Sequence, residues 1–213
     1  MIVLSKVTIL LSGRILMSNR QTREQIINAA DQLFYELGFE HTSFSHIAQA
    51  VGISRGNFYY HFKSKDEILD AVINRRMINT SALLDSCEIA GKTPLCRIRS
   101  FINILIQNRA KIKRYGCPVG TLCSELVKLD HPGKGNANKL FTLFRGWLRR
   151  QFEQLGHSSN ADELAMHTLA FSQGVATLAS AFQDEKFIKK EVSRMNNWLT
   201  ALENKNDTQP GVL

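Results

Sequence analysis

Apolar residues recur at three- and four-residue spacing along most of this chain, and no run alternates apolar and polar positions between turn residues as a half-buried strand does. The pattern predicts an all-α protein. A first helix is expected over 22–37, with Ile26, Ala30, Leu33, Phe34 and Leu37 on one stripe and Gly38 to end it. Phe44, Ile47, Ala48 and Val51 mark a second, two-turn helix that Gly52 stops. Ser54 offers a cap to a short third helix, about 55–62, and Ser64-Lys65-Asp66-Glu67 has the S-x-x-E form of a capping box. The helix it opens carries Ile68, Leu69, Val72 and Ile73 and reaches about residue 86.

Gly91-Lys92-Thr93-Pro94 is the clearest boundary, with Thr93 as cap and Pro94 as first helical residue. A long helix to Tyr115 is expected next, turning Ile98, Phe101, Ile102, Leu105 and Ile112 inward. Gly116 breaks it, and Pro118 opens a shorter helix that ends near Asp130-His131-Pro132-Gly133. Three more are expected over 136–155, 162–183 and 186–204, the second started by the capping-box-like Asn160-Ala161-Asp162-Glu163. The tail, 206–213, reads as frayed.

A helix, a tight glycine turn and a capped second helix over 42–62 form a helix-turn-helix. At about 100° per residue, with Phe58 facing the core, Phe62 falls on the same side and Tyr60 points away. Gly56 and Asn57 lie beside Tyr60, Tyr59 and His61 on the flanks, and Arg55 at the N-terminal end. From Thr42 to Lys65 there is no carboxylate, while Arg55, Lys63 and Lys65 bring positive charge. Such a face suits phosphates, where each neutralised charge steepens the salt dependence of binding. Gly56 lets backbone approach a strand closely, and Asn57 can read a base edge. A solvated face that lacks acids is the bland alternative.

Residues 28–69 resemble the N-terminal DNA-binding domain of the TetR family of transcriptional regulators. The likeness rests on Ala29-Ala30, Leu33-Phe34, Gly38-Phe39, Thr42, Ile47-Ala48, the run Gly52 to Phe62, and Lys65-Asp66-Glu67. It implies a helical homodimer that binds a palindromic operator and is released when a small-molecule effector enters the C-terminal domain, acting as a repressor. Matched position by position, Thr42, Arg55, Asn57, Tyr59, Tyr60, His61 and Lys65 fall where that family meets DNA. The expected organisation is an N-terminal extension (1–18), a DNA-binding domain (19–64), a helical effector-binding and dimerisation domain (65–205) and the tail.

Charge adds a qualification. The net charge is +8 over 213 residues, yet 19–76 holds seven basic and seven acidic side chains, so basicity near the turn is local. The excess sits in the middle of the chain, notably Arg97, Arg99, Arg109, Lys111, Lys113 and Arg114, where a solvated face, a steering field or an anion pocket would all account for it. The apolar opening stretch, with Lys6 and Arg14, is too short to span a bilayer and reads as a dispensable tail or as a start placed ahead of Met17. A membrane tether is the less favoured reading of that stretch, and a cytoplasmic location is expected.

Cysteines at 87, 96, 117 and 123 form no metal-binding spacing, so neither metal nor cofactor is expected. Cys117, ahead of a helix and near Lys113 and Arg114, is either a reactive thiolate or a small residue in a crowded turn; Cys123 is core or its partner. The segment around them also resembles the effector domain of family members that respond to electrophiles or oxidants. Phe101, Tyr115, Phe144, Trp147 and Phe171 are the pocket candidates, together with Phe141 and Phe182. Leu169, Gly174, Leu178 and Phe182, with Met195, Trp198 and Leu202 on the last helix, are expected to form a dimer interface or else monomer core. No nucleophile–base set and no phosphate-cradling loop supports an enzyme.

Overall fold

In the computed structural model the described residues are 3–207, with side chains for 19–204, and they form ten helices and no strand. These are α1 (Val3–Leu37), α2 (Phe44–Val51), α3 (Arg55–His61), α4 (Lys65–Ala90), α5 (Pro94–Gln107), α6 (Arg109–Tyr115), α7 (Pro118–Lys128), α8 (Lys134–Gln154), α9 (Ala161–Ala181) and α10 (Glu185–Asp207). The chain divides into two compact units, one ending at Asn74 and one beginning at Arg75, so the division falls within α4. None of the described helices is long and apolar enough to cross a membrane. The expectations for the side chains of 1–18 and for the tail lie outside the described residues.

The first unit is built around a small aromatic and aliphatic core. Ile26, Ala30 and Phe34 of α1, Ile47 and Ala48 of α2, Phe58 of α3, Phe62 and Ile68, Leu69 and Val72 of α4 are all buried. Leu37, expected on the α1 stripe, is half exposed because it lies in the last turn, where Gly38 (φ 88°) leads the chain away. Gly52 ends α2 at φ 73°, its N–H donating to the carbonyls of Ala48 and Gln49. A Cβ there would meet nothing within 4 Å, so only backbone conformation demands glycine.

In this unit two caps match expectation and a third was not foreseen. The Ser54 hydroxyl accepts from Asn57 N–H at 3.3 Å and that of Ser64 from Glu67 N–H at 3.1 Å. The Glu67 carboxylate accepts from Lys63 N–H, one residue before the position a capping box uses. At α2, Ser43 and His46 cap each other reciprocally.

The second unit has its own core, centred on Ile98, Ile102, Trp147, Leu148, Phe152, Ala165, Ala176 and Leu199. Helices α8 and α9 form its most extensive pair, with α5 against both α8 and α10 and α6 against α9. Gln151 is fully buried and satisfied: Arg97 donates to its carbonyl oxygen, and its amide nitrogen donates to Glu88. The long helix expected up to Tyr115 is broken at Asn108, whose side-chain amide and N–H both donate to the Ile104 carbonyl. That back-bonding competes with the helix ladder. Asn160 makes no side-chain cap at α9, contrary to expectation; Asp162 is instead held by Arg145, whose hydrogen bonds keep the carboxyl below its usual range.

Lys65 is a local staple. Its ammonium donates to the carbonyls of Phe39 (3.1 Å) and Glu40 (3.2 Å) and stands 4.3 Å from the centre of the Phe39 ring. Lys65→Met should therefore lower stability by about 1.5–3 kcal/mol, the range for hydrogen bonds involving a charged group, read as a lower urea midpoint; an unchanged midpoint would show those bonds to be idle. Gly52→Ala should cost about 1–2 kcal/mol for the left-handed turn in the same measurement, with no change in helical content.

Candidate nucleic-acid interface

The third helix is seven residues long, too short to be stable by itself, so packing fixes its direction. Phe58 (1% exposed) and Phe62 (0%) are its anchors, with the Phe44 ring 5.1 Å from Phe58. The outward side then follows from helical geometry. Tyr60 is 65% exposed and Tyr59 46%, and Arg55, Gly56, Asn57 and Lys63 are exposed as well. No atom lies within 4 Å of a Cβ built at Gly56, so its face is open.

Polar side chains on this surface are oriented by neighbours rather than left loose. Arg55 donates to the Ser45 hydroxyl at 3.1 Å, tying α3 to α2. The Tyr59 ring meets Phe44 edge-on at 5.5 Å. The Lys63 ammonium donates to the Tyr59 carbonyl, which places it at the end of α3. Ser43, Phe44, Ser45, Ala48, Arg55, Phe58 and Tyr59 line a shallow cavity of about 270 Å³ between α2 and α3. Ser45 was not foreseen; a serine in the first turn of a helix has no sequence signal to separate it from an ordinary surface residue.

Two expected residues are placed differently. Thr42 is 1% exposed, and its hydroxyl donates to the Gly38 carbonyl at 2.7 Å, satisfying a carbonyl that the end of α1 leaves open. Lys65 spends its ammonium on carbonyls of the α1–α2 turn and on a 3.8 Å ion pair with Glu40. Both side chains shape the turn instead of standing on the exposed face. His61 is half-buried, with its Nε2 shielded from solvent and without a hydrogen-bond partner.

In the second unit, Phe101 packs its ring 5.5 Å from Phe144 and 6.1 Å from Trp147, so three of the pocket candidates form one aromatic cluster. The indole N–H of Trp147 is buried without a partner. Phe171 and Cys117 are partly buried against the core, and Tyr115 lies under the Arg114 guanidinium. All four cysteines are free. The Cys117 sulfur is the N-cap of α7 and accepts from Gly120 N–H at 3.4 Å. Cys123 is buried, and burial first, then the neighbouring Cys117, pushes its thiol up to about 11, against the opposing charge of Arg76. It is therefore a protonated thiol at neutral pH.

Of the interface candidates, Leu169 and Met195 are buried within the core of their own unit. Trp198 and Leu202 are partly buried against it. Gly174, Leu178 (44% exposed) and Phe182 (75%) are exposed and follow one another at four-residue spacing along α9 and its C-cap. No group of three or more His, Cys, Asp or Glu side chains among the described residues is arranged to hold a metal.

Residues 26–72 match the family described as bacterial regulatory proteins, tetR family. Over 125 residues the chain is 34% identical to an uncharacterised HTH-type transcriptional regulator from the lacX 3' region of Lactococcus lactis subsp. lactis, spanning 58% of this chain and 64% of that one. It is 26% identical over 161 residues to the HTH-type transcriptional regulator LmrA of Bacillus subtilis (strain 168), spanning 74% and 86%. Over 55 residues it is 40% identical to the HTH-type transcriptional regulator TtgR of Pseudomonas putida, and there the match spans only 26% of the relative. The chain thus spans less than two thirds of the length of the Lactococcus and Pseudomonas relatives. A TetR-family transcriptional regulator from Streptomyces coelicolor superposes with a TM-score of 0.76 at 15% identity, over 86% of this chain and 97% of that one. The reduced form of Escherichia coli NemR gives 0.71 at 18% identity, over 83% and 96%. Residues 26–72 thus match the tetR family of bacterial regulatory proteins, and over 86% of its length the chain shares the fold of a solved TetR-family regulator.

Proposed function

We propose that the protein is a cytoplasmic transcriptional regulator that binds a palindromic operator as a homodimer, represses from it, and releases it when a small molecule enters the C-terminal unit. The observation that carries this reading is the outward face of α3: Arg55, Gly56, Asn57, Tyr59 and Tyr60 exposed together, with no carboxylate among them, on a helix anchored by Phe58. Such a rod fits the major groove, where phosphate contacts set register and side chains reach base edges. Residues 19–64 serve as the DNA-binding domain and 65–205 as the effector and dimerisation domain. The exposed α9 stripe of Gly174, Leu178 and Phe182 supports a two-fold pairing of copies, since it is apolar and faces away from its own core. A two-fold pair reads half-sites about one DNA turn, 34–36 Å, apart. The aromatic cluster of Phe101, Phe144 and Trp147, with its unpartnered indole N–H, supports the same unit as the place an effector enters.

A second reading, in which Cys117 senses an electrophile or oxidant, is supported by its sulfur capping α7. The Gly120 N–H is directed at that sulfur at 3.4 Å. Its neighbour Cys123 is held as a thiol, which leaves Cys117 as the nucleophile of the two.

Footprinting upstream of the protein's own coding region would locate the operator. On that fragment Tyr60→Ala should weaken binding about 5- to 150-fold, the 1–3 kcal/mol of a lost base contact, with the dimer intact by sedimentation; undiminished affinity would place the reading face elsewhere. Cys117→Ser should hold the operator after treatment with an electrophile that releases the parent protein. Equal release by both would end the thiol reading and leave the small-molecule one standing.

A further inference from the structure

The net charge of +8 is not shared between the two units. Residues 1–74 hold seven basic and seven acidic side chains and residues 75–213 hold twenty and twelve, so the whole excess lies in the second unit. The unit with the helix-turn-helix is neutral as a whole, whereas a DNA duplex carries about one negative charge per 1.7 Å of its axis.

Part of that excess is gathered at one corner of the second unit. Helix α6, RAKIKRY, has four basic residues and no acid, and Lys111 and Arg114 are exposed on it. The start of α10 packs beside α6: Gln183 donates to the Lys113 carbonyl at 2.9 Å, and Glu185 pairs with Lys113 at 3.1 Å and Arg109 at 3.5 Å. Lys186, Lys189 and Lys190 stand exposed on α10. Both nearby carboxylates are committed, Glu185 to that double pair and Asp184 to the N–H groups of Lys186 and Phe187. Among the described residues none of Lys111, Arg114, Lys186, Lys189 and Lys190 has an ion-pair partner.

The corner has a definite place. Arg76, the second residue of this unit, is buried and donates to the carbonyl of Pro118, three residues past the end of α6. This is the end at which α4 brings the chain in from the helix-turn-helix. At the opposite end of α4, Arg97 ties the Gly91 carbonyl to Gln154 of α8, and Lys92, Arg149 and Arg150 are the exposed cations there.

Resting on the DNA-binding reading above, we propose that the α6–α10 corner is a steering surface for the DNA backbone, supplying the attraction that the neutral helix-turn-helix unit lacks. Its field raises the rate of encounter, and α3 then docks by its own contacts. Such a field acts without touching, over about 10 Å at 0.1 M salt and less at higher salt. Charge at the entry end of the unit therefore counts for more than the same charge at the far end. Steering enters the association rate and leaves dissociation alone, since these lysines make no contact in the docked complex. Backbone phosphates are the same in every sequence, so a random-sequence duplex is the probe.

Stopped-flow mixing of the full chain with that duplex, labelled with fluorescein, gives both rate constants from the dependence on protein concentration. Lys111→Gln, Lys186→Gln and Lys189→Gln combined should slow association about tenfold at low salt, the lower end of what steering contributes. Association should also fall less steeply as salt rises, with dissociation unchanged. Lys92→Gln, Arg149→Gln and Arg150→Gln combined remove the same charge from the far end and should slow association by about twofold or less, as screening dictates. Equal slowing by the two triple variants would make net charge the cause and overturn the proposal. So would an unchanged association rate in the corner variant, or faster dissociation in its place. Tyr60→Ala separates the two levels: loss of operator preference there, with the corner variant behaving as the parent, leaves the DNA-binding reading intact and the steering surface refuted.

Discussion

The seating of Phe58 and Phe62 beneath a seven-residue helix is the constraint on which the rest depends. A helix of two turns has no stability of its own in water, since nucleation costs more than so few hydrogen bonds return. Its direction is set by what it buries, and burying a phenylalanine side chain contributes roughly 1.5–3 kcal/mol. Two such anchors one turn apart fix both axis and rotation. Every outward position on α3 is then determined by the 3.6-residue repeat rather than by its own contacts. The left-handed turn at Gly52 and the Ser54 cap position the start of the same helix, and Lys63 closes its end.

Much of this was legible in the sequence because it is local. The ends of α3, the glycine stops at 38, 52 and 116, and the caps at Ser54, Ser64 and Thr93 each depend on residues within a turn or two of one another. The outward placement of Tyr60 and the burial of Phe58 follow from the period alone. What was not legible depends on partners distant in sequence or on competition between near-equal options. Lys65 reads as a free cation, and only the fold shows that carbonyls 25 and 26 residues earlier claim its ammonium. Thr42 reads as a polar surface residue, yet a carbonyl left open by the end of α1 draws its hydroxyl inward. Asn108 interrupts a helix whose apolar stripe runs straight through it, because its side chain binds the backbone it belongs to. Asn160 has the identity of a cap without the hydrogen bond, its backbone standing at φ −134° and ψ 19° where the capping residues Ser43, Ser54 and Thr93 are extended.

The second unit shows the same division. Its inward residues on α5 were evident from spacing, as was a mixture of small and large apolar groups on α9. Which α9 residues belong to the core and which stand on the surface required coordinates. Leu169 and Leu178 are identical in type and lie on one helix, but the first sits in the core of its unit while the second has nearly half its area in solvent. Hydrophobic identity marks a residue as fit for burial; it does not say by what.

Within α3 only Phe58 is buried, so the remaining side chains of the helix carry almost none of the folding energy. Substitutions there change the chemistry of the outward face and leave the scaffold nearly untouched. Divergent copies of such a chain can remodel that face one residue at a time, without passing through unfolded intermediates.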